Sequence, residues 1–262
     1  MIPEYAITEW RQNAPWLNSE QVEQDLLISR ALVEIYQHPF LSQRLAFRGG
    51  TALHKIYLHP QNRYSEDIDL VQIHPEPIKK TIDALREVLS FLGVPAIKQK
   101  KSNNTLIYKV DSEVLPVMPL RLKIEINCKE HFSAFDYNKV RFSVKNQWYT
   151  GECTLTTYTL EELLGSKLRA MYQRRKGRDL YDLYKSLQYK DVNINNVLSA
   201  FQVYMKFSVS KPPSQTEFLQ NLEKKILDSD FTGDTALLLR SDEHYDIFKA
   251  YELIKNELIF KI

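Results

Sequence analysis

The chain has 262 residues and a mass of 30.8 kDa, enough for one large domain or two modest ones. Its 44% hydrophobic and 26% charged content is that of a globular protein and excludes a disordered tail, a collagen-like repeat and a disulfide-stapled mini-scaffold. Lys and Arg number 35 against 33 Asp and Glu, a net charge of +2, so a polyanionic partner would need cations gathered locally.

Apolar runs such as Leu237-Leu238-Leu239 fall far short of the ~18 residues that span a bilayer, so no membrane association is expected. The start, MIPEYAITEW, has neither a basic stretch nor an apolar segment of a secretory signal. Two cysteines, Cys128 and Cys153, suit a reducing compartment better than a disulfide framework, and a cytoplasmic location is expected. Glycine is scarce: 7 residues against the roughly 18 that ~7% usage would give. Two of the seven stand side by side at Gly49-Gly50, where bare backbone is expected to be needed.

Residues 1–15 carry little pattern. The stretch SEQVEQDLLISRALVEIYQH has apolar residues at helical spacing and stops before Pro39. Leu45-Ala46-Phe47 is a short apolar segment running into Gly49-Gly50-Thr51, after which TALHKIYL reads as one or two helical turns. YSEDIDLVQI alternates with period two and predicts a strand. Pro77 to Leu92 predicts an amphipathic helix stopped by Gly93, and strands are predicted over 105–111, 120–128, 140–146 and 152–158. Thr159-Leu-Glu-Glu162 fits a capping box that opens a helix to about Gln188, followed by helices over 193–207, 214–228 and 242–258. The expected organisation is an α/β domain over residues 1–154, with an N-terminal helix, and an all-helical domain over 155–262.

The residues that could carry chemistry begin with Asp67 and Asp69. Two apart on a strand, they share a face while Ile68 and Leu70 take the other. Adjacent carboxylates repel unless a cation neutralises them, and hard oxygen donors suit Mg²⁺; an exposed acidic edge is the plainer alternative. Gly49-Gly50-Thr51 follows an apolar strand and opens a helix, so its free N–H groups form an anion site, or Thr51 simply caps the turn. A phosphate cradle followed within one hairpin by a two-carboxylate strand has the parts for metal–triphosphate chemistry. In RLKIEIN, Arg121, Lys123, Glu125 and Asn127 share the polar face; Glu125 either completes a metal triad or belongs to a surface Lys–Glu stripe.

Lys167 falls inside the apolar stripe of its helix, within about 60° of Leu160, Leu163, Leu164 and Met171. A cation there needs an anion, either a triphosphate or a structural carboxylate. On an unbroken helix Arg178 and Asp182 would lie within about 60° of Lys167 and Asp179 near 120°, a geometry that a break at Gly177 would undo. The run Arg174-Arg175-Lys176-Gly177-Arg178 is the favoured surface for an RNA backbone, with Lys98, Lys100 and Lys101 as a second cluster. The histidines lack metal-ligand spacing, no Walker A or dinucleotide fingerprint occurs, and Cys128 is expected to be packed.

FRGGTALHKIYLHPQNRYSEDIDL together with KLRAMYQRRKGRDLYDLY resembles the AbiEii/AbiGii toxin family of nucleotidyltransferases, which includes the MenT toxins and belongs to the DNA polymerase β-like superfamily. The resemblance spans about residues 45–71 and 160–184. It implies a polymerase β-like core with a mixed sheet followed by an all-helical C-terminal domain. It also implies that Asp67 and Asp69 hold Mg²⁺, with Glu125 as a third acid. Gly49, Gly50, Thr51 and Ser65 would line the phosphate pocket, with Arg178 and Asp179 beside the nucleotide. Lys167 would contact the nucleotide, and Asp182, or alternatively Asp179, would match the late catalytic aspartate. Family members are toxins of type IV toxin–antitoxin or phage-abortive systems, usually encoded beside a winged-helix antitoxin, and some use a nucleoside triphosphate to extend the 3′ end of tRNA. The activity the resemblance implies is therefore Mg²⁺-dependent transfer of a nucleotide, with the 3′ end of tRNA as the expected acceptor. Transfer to a protein or small-molecule hydroxyl, or a non-catalytic RNA- or partner-binding role, are the alternatives.

Overall fold

The structure, a computed structural model, describes residues 2–262. It separates into two compact units: the chain up to Phe132 with Tyr137–Tyr158, and Ser133–Asp136 with Thr159–Ile262.

In the first unit, helices α1 (Glu4–Trp10), α2 (Ser19–Gln37) and α3 (Pro39–Ser42) precede strand β1 (Leu45–Arg48). Helix α4 (Gly49–Ala52) passes into one π-helical turn, Leu53–Tyr57, before β2 (Asp67–Gln72). Then come α5 (Lys79–Val88), β3 (Ala96–Gln99), β4 (Asn103–Asp111), β5 (Pro119–Asn127), β6 (Asn138–Lys145) and β7 (Thr150–Thr157). Among the described residues the strands form one seven-stranded mixed sheet of order β3-β4-β5-β2-β1-β7-β6. The β2–β5 and β1–β7 pairs are parallel and the others antiparallel. This α/β sheet with helices is the expected class of core, and the strands expected over 105–111, 120–128, 140–146 and 152–158 are present with ends shifted by at most two residues.

Helix α2 is buried nearly all round, polar residues included. Its Asp25 accepts hydrogen bonds from Trp10 Nε1 (2.9 Å) and Lys55 Nζ (2.8 Å), and Lys55 Nζ also donates to Ser29 (3.0 Å). That network ties α1, α2 and the π-turn together, and it accounts for α1, which local pattern does not predict. Strand β3 also escaped the pattern: its four residues are all exposed on the sheet edge, so no in–out alternation marks it.

The second unit contains α6 (Leu160–Gln173), α7 (Gly177–Tyr189), α8 (Ile194–Ser208), α9 (Gln215–Ile226), α10 (Ser229–Gly233) and α11 (Ile247–Glu257). The expected single helix from Leu160 to Gln188 is two helices, separated by the extended residues 174–176. Gly177 opens α7 with its backbone so close to the Phe231 carbonyl that a Cβ would overlap it, which sets the new helix direction. Thr159 caps α6 as expected, accepting from Glu162 N at 3.2 Å. The other half of the capping box is not made. The Glu162 carboxylate instead accepts from Ser133 Oγ (2.7 Å), Ala134 N (2.7 Å), Phe135 N (3.1 Å) and Tyr204 Oη (2.7 Å).

Candidate active site

The first unit gathers Gly49, Gly50, Thr51, Ser65, Asp67, Asp69 and Glu125 around the start of β2. Period two places Asp67 and Asp69 half-exposed on one face and Ile68 and Leu70 in the core. Antiparallel pairing sets Arg48 opposite Asp69, so the chain leaving β1 turns directly over that carboxylate. Gly49 makes the turn with φ +80°, and a Cβ there would overlap the Asp69 carboxylate. At Gly50 a Cβ would lie 2.5 Å from Arg63 Nη2 and 3.3 Å from Ser65 Oγ. The backbone is bare because side chains already crowd it from the β2 side.

Thr51 is not the cap of its helix. Arg48 holds the N-cap position, and Thr51 is buried inside α4. Its hydroxyl donates to the Asp67 carbonyl at 2.5 Å and stands 2.8 Å from Ser65 Oγ. Both hydroxyls therefore pin the turn to the start of β2. Arg63, 1% exposed, donates to the Tyr64 carbonyl at 2.9 Å and backs Gly50. A lone arginine in a polar loop sequence gives no sign of this burial, which places Arg63 behind the turn.

Across the parallel pair, Asp67 faces Lys123 and Asp69 faces Glu125. Lys123 Nζ lies 2.7 Å from Asp67 Oδ2 and 3.1 Å from Glu125 Oε1. Burial pushes the Lys123 ammonium toward losing its proton, but the hydrogen bonds and charges of Asp67 and Glu125 outweigh it and raise its pKa. Sequence reasoning put Lys123 on the right face without giving it a function. Among the described residues no group of three or more His, Cys, Asp or Glu side chains is set to hold a metal ion. A cation already stands between Asp67 and Glu125. The donor chemistry still fits a hard divalent ion: Asp67 and Asp69 share a face, and the ammonium on Asp67 shows that a positive charge is accommodated there.

The helical unit brings Lys167, Asp179 and Asp182 together. Lys167 Nζ is 3.0 Å from Asp179 Oδ1 and 2.8 Å from Asp182 Oδ2, with both carboxylates fully buried. Arg174 adds two hydrogen bonds to Asp179, Nε at 2.7 Å and Nη2 at 2.8 Å. Burial alone would raise the Asp179 pKa; Lys167 and Arg174 outweigh it and hold the carboxyl below its ordinary value. The anion met by the stripe lysine is thus a carboxylate pair of its own unit, and the helix break supplies it. Arg178 is held by Asp234, through its backbone N–H at 3.1 Å and its guanidinium at 3.5 Å. Arg175 pairs with Asp228 (3.1 Å) and Lys176 with Asp234 (3.3 Å), so each cation of the expected RNA-binding run has an aspartate partner within its own unit. Burial raises the pKa of Cys128 and pushes Cys153 up to about 12, leaving both as neutral thiols rather than nucleophiles.

A mixed sheet that presents two carboxylates beside a Gly-Gly-Thr turn, followed by a helical unit, is a nucleotidyltransferase fold. Solved structures that share it include the following two. MenT4, a nucleotidyltransferase toxin from Mycobacterium tuberculosis, is 15% identical with TM-score 0.66 over 100% of this chain and 91% of that one. A putative nucleotidyltransferase from H. pylori is 17% identical with TM-score 0.59 over 94% and 96%. Among curated proteins none matches the sequence. The family model described as nucleotidyl transferase AbiEii toxin, type IV TA system, matches residues 30–252, and the chain belongs to that family. No helix among the described residues is long and apolar enough to cross a membrane.

Proposed function

We propose that this toxin-family nucleotidyltransferase moves a nucleotide from a nucleoside triphosphate to the 3′-terminal hydroxyl of an RNA, with tRNA as the acceptor and Mg²⁺ as the metal. The observation that carries the reading is the convergence of the bare Gly49 backbone with the Asp69 carboxylate, one residue pair from Asp67 on the same face. Asp67 and Asp69 would hold the metal, which supplies charge neutralisation of the triphosphate and acidifies the attacking hydroxyl. Gly49 leaves room for the Asp69 carboxylate to lie against the turn, so that metal ligand and turn backbone sit side by side. Thr51, Ser65 and Arg63 keep that turn fixed, so the cradle does not reorganise during reaction. Glu125 sits one strand over, opposite Asp69, within the same polar face. In the helical unit the roles of Lys167 with the nucleotide and of Asp182 as late aspartate rest on the family motif, as do those of Arg178 and Asp179.

Support for a polyanionic acceptor comes from the same sheet face. Register carries one row from Lys98 through Thr105 and Glu125 to Asp69, and pairs Lys109 with Arg121 two residues before Lys123. Lys98, Lys109 and Arg121 are exposed. Among the described residues they make no ion pair with a carboxylate, unlike the 174–178 run. The carboxylates on this part of the face are Glu125 and, at its far end, Asp111. An antitoxin partner, of the winged-helix kind, belongs to the same reading.

The test is incubation of the protein with Mg²⁺, each labelled nucleoside triphosphate in turn, and total RNA before and after periodate oxidation of the 3′ diol. Label entering the tRNA fraction of untreated RNA and lost on oxidation is the expected result. Label entering protein or small molecules, indifferent to RNA, would replace RNA as acceptor and leave nucleotidyl transfer standing.

A further inference from the structure

The carboxylate that heads the site is already matched to a cation of the chain itself. Lys123 is the cross-strand partner of Asp67, so the sheet rather than a mobile loop delivers its ammonium. The ammonium makes short charge-assisted contacts with both Asp67 (2.7 Å) and Glu125 (3.1 Å). The side chains of Lys123, Asp67 and Glu125 are 26%, 30% and 34% exposed, so the ammonium is within reach of solvent and free to leave. The contact uses one of the oxygens a divalent ion would take, and an ammonium beside a doubly charged ion is repelled by it.

We propose that Lys123 is a tethered counter-ion that occupies Asp67 in the metal-free protein and has to be displaced when a divalent ion loads. The inference rests on Asp67 as a metal ligand. Its consequence is that free metal binds weakly, whereas metal arriving with a triphosphate brings phosphate oxygens that take over the displaced ammonium. Nucleotide and metal then load together. Glu125, 3.1 Å from the ammonium in the metal-free state, holds the other side of the lysine.

The experiment is Mn²⁺ binding to the full chain without nucleotide, followed by electron paramagnetic resonance, for the wild type, Lys123→Met, Lys123→Arg and Asp67→Asn. Thermal midpoints in a Mn²⁺ titration serve as a second readout, because an ion that binds the native state raises them, by more the tighter it binds at a given concentration. Lys123→Met is expected to bind Mn²⁺ at least tenfold more tightly than the wild type and to gain more in midpoint. Lys123→Arg, which keeps the charge, stays within about threefold of the wild type. With a non-hydrolysable triphosphate present, the advantage of Lys123→Met shrinks or reverses. If Lys123→Met binds Mn²⁺ no more tightly while Asp67→Asn weakens binding, the counter-ion role is wrong and the metal assignment survives. If Asp67→Asn leaves Mn²⁺ affinity unchanged, the metal assignment itself fails and the counter-ion role with it. Should Lys123→Met not fold, Lys123→Gln carries the same comparison.

Discussion

Gly49 illustrates how one residue position links backbone and chemistry. Its φ of +80° is a conformation L side chains rarely adopt, and its missing Cβ is where the Asp69 carboxylate sits. Gly49→Ala should therefore cost about 1–3 kcal/mol in chemical denaturation, from backbone strain and the displaced carboxylate. It should also lower nucleotide transfer, because the cradle and Asp69 cannot both keep their places. A variant of wild-type stability would mean that the turn relaxes freely and is not a built cradle. Asp67→Asn and Asp69→Asn keep the side-chain shape on a half-exposed strand face, so the fold should persist. Transfer should fall more than roughly 100-fold, the loss expected when metal stabilisation of a phosphoryl transition state is removed. Labelled-nucleotide incorporation beside a melting curve separates the two effects.

The elements of the site were unequally legible. DIDLVQ states its own face through period two, and a Gly-Gly pair in a glycine-poor chain announces the turn. The Asp67–Lys123 pairing was not readable, because the register of two parallel strands more than fifty residues apart is a tertiary outcome. The end of α6 was hidden for a similar reason: Arg174, Arg175 and Lys176 are good helix formers, and what turns the chain is the packing of Gly177 on Phe231. That turn makes the Lys167–Asp179–Asp182 cluster, which changes what the α6 lysine does when removed. A lysine waiting for a nucleotide could be deleted at little cost to stability. Lys167→Ala should instead cost about 3–5 kcal/mol, because two buried carboxylates lose their shared cation. Asp179→Asn is expected to be similarly costly at neutral pH. The Asp179 pKa is depressed in the folded state, so its stabilisation is fully present above the unfolded carboxylate value near 4. It is lost as pH falls through the lower folded value, so the gap between wild type and Asp179→Asn in urea titrations should close in that range. A gap unchanged down to strongly acid pH would show that the ion pair is not its source.

Across the whole molecule, a net charge of +2 hides two different cation sets. Arg174, Arg175, Lys176 and Arg178 each have an aspartate of their own unit, whereas Lys98, Lys109 and Arg121 share the sheet face with Asp67 and Asp69 and have no such partner among the described residues. Charge reversal of Lys98, Lys109 and Arg121 should therefore weaken RNA binding and flatten its salt dependence by about 0.7 per lost phosphate contact on single strands. Reversal of Arg174 and Arg175 should chiefly destabilise the helical unit, seen as a lower melting point. Fluorescence anisotropy of a labelled RNA over a salt series distinguishes them, and an RNA loss confined to the Arg174 and Arg175 variant would move the acceptor surface to the helical unit. Nucleotidyl transfer by this chain is proposed to depend on Asp67 and Asp69. That dependence is tested most directly by Mg²⁺-dependent incorporation of label from nucleoside triphosphates, comparing the wild type with Asp69→Asn at matched folding. Incorporation by the wild type with at least one triphosphate, abolished by chelation of the metal and by Asp69→Asn, is the expected result; incorporation by Asp69→Asn at the wild-type rate would overturn the assignment.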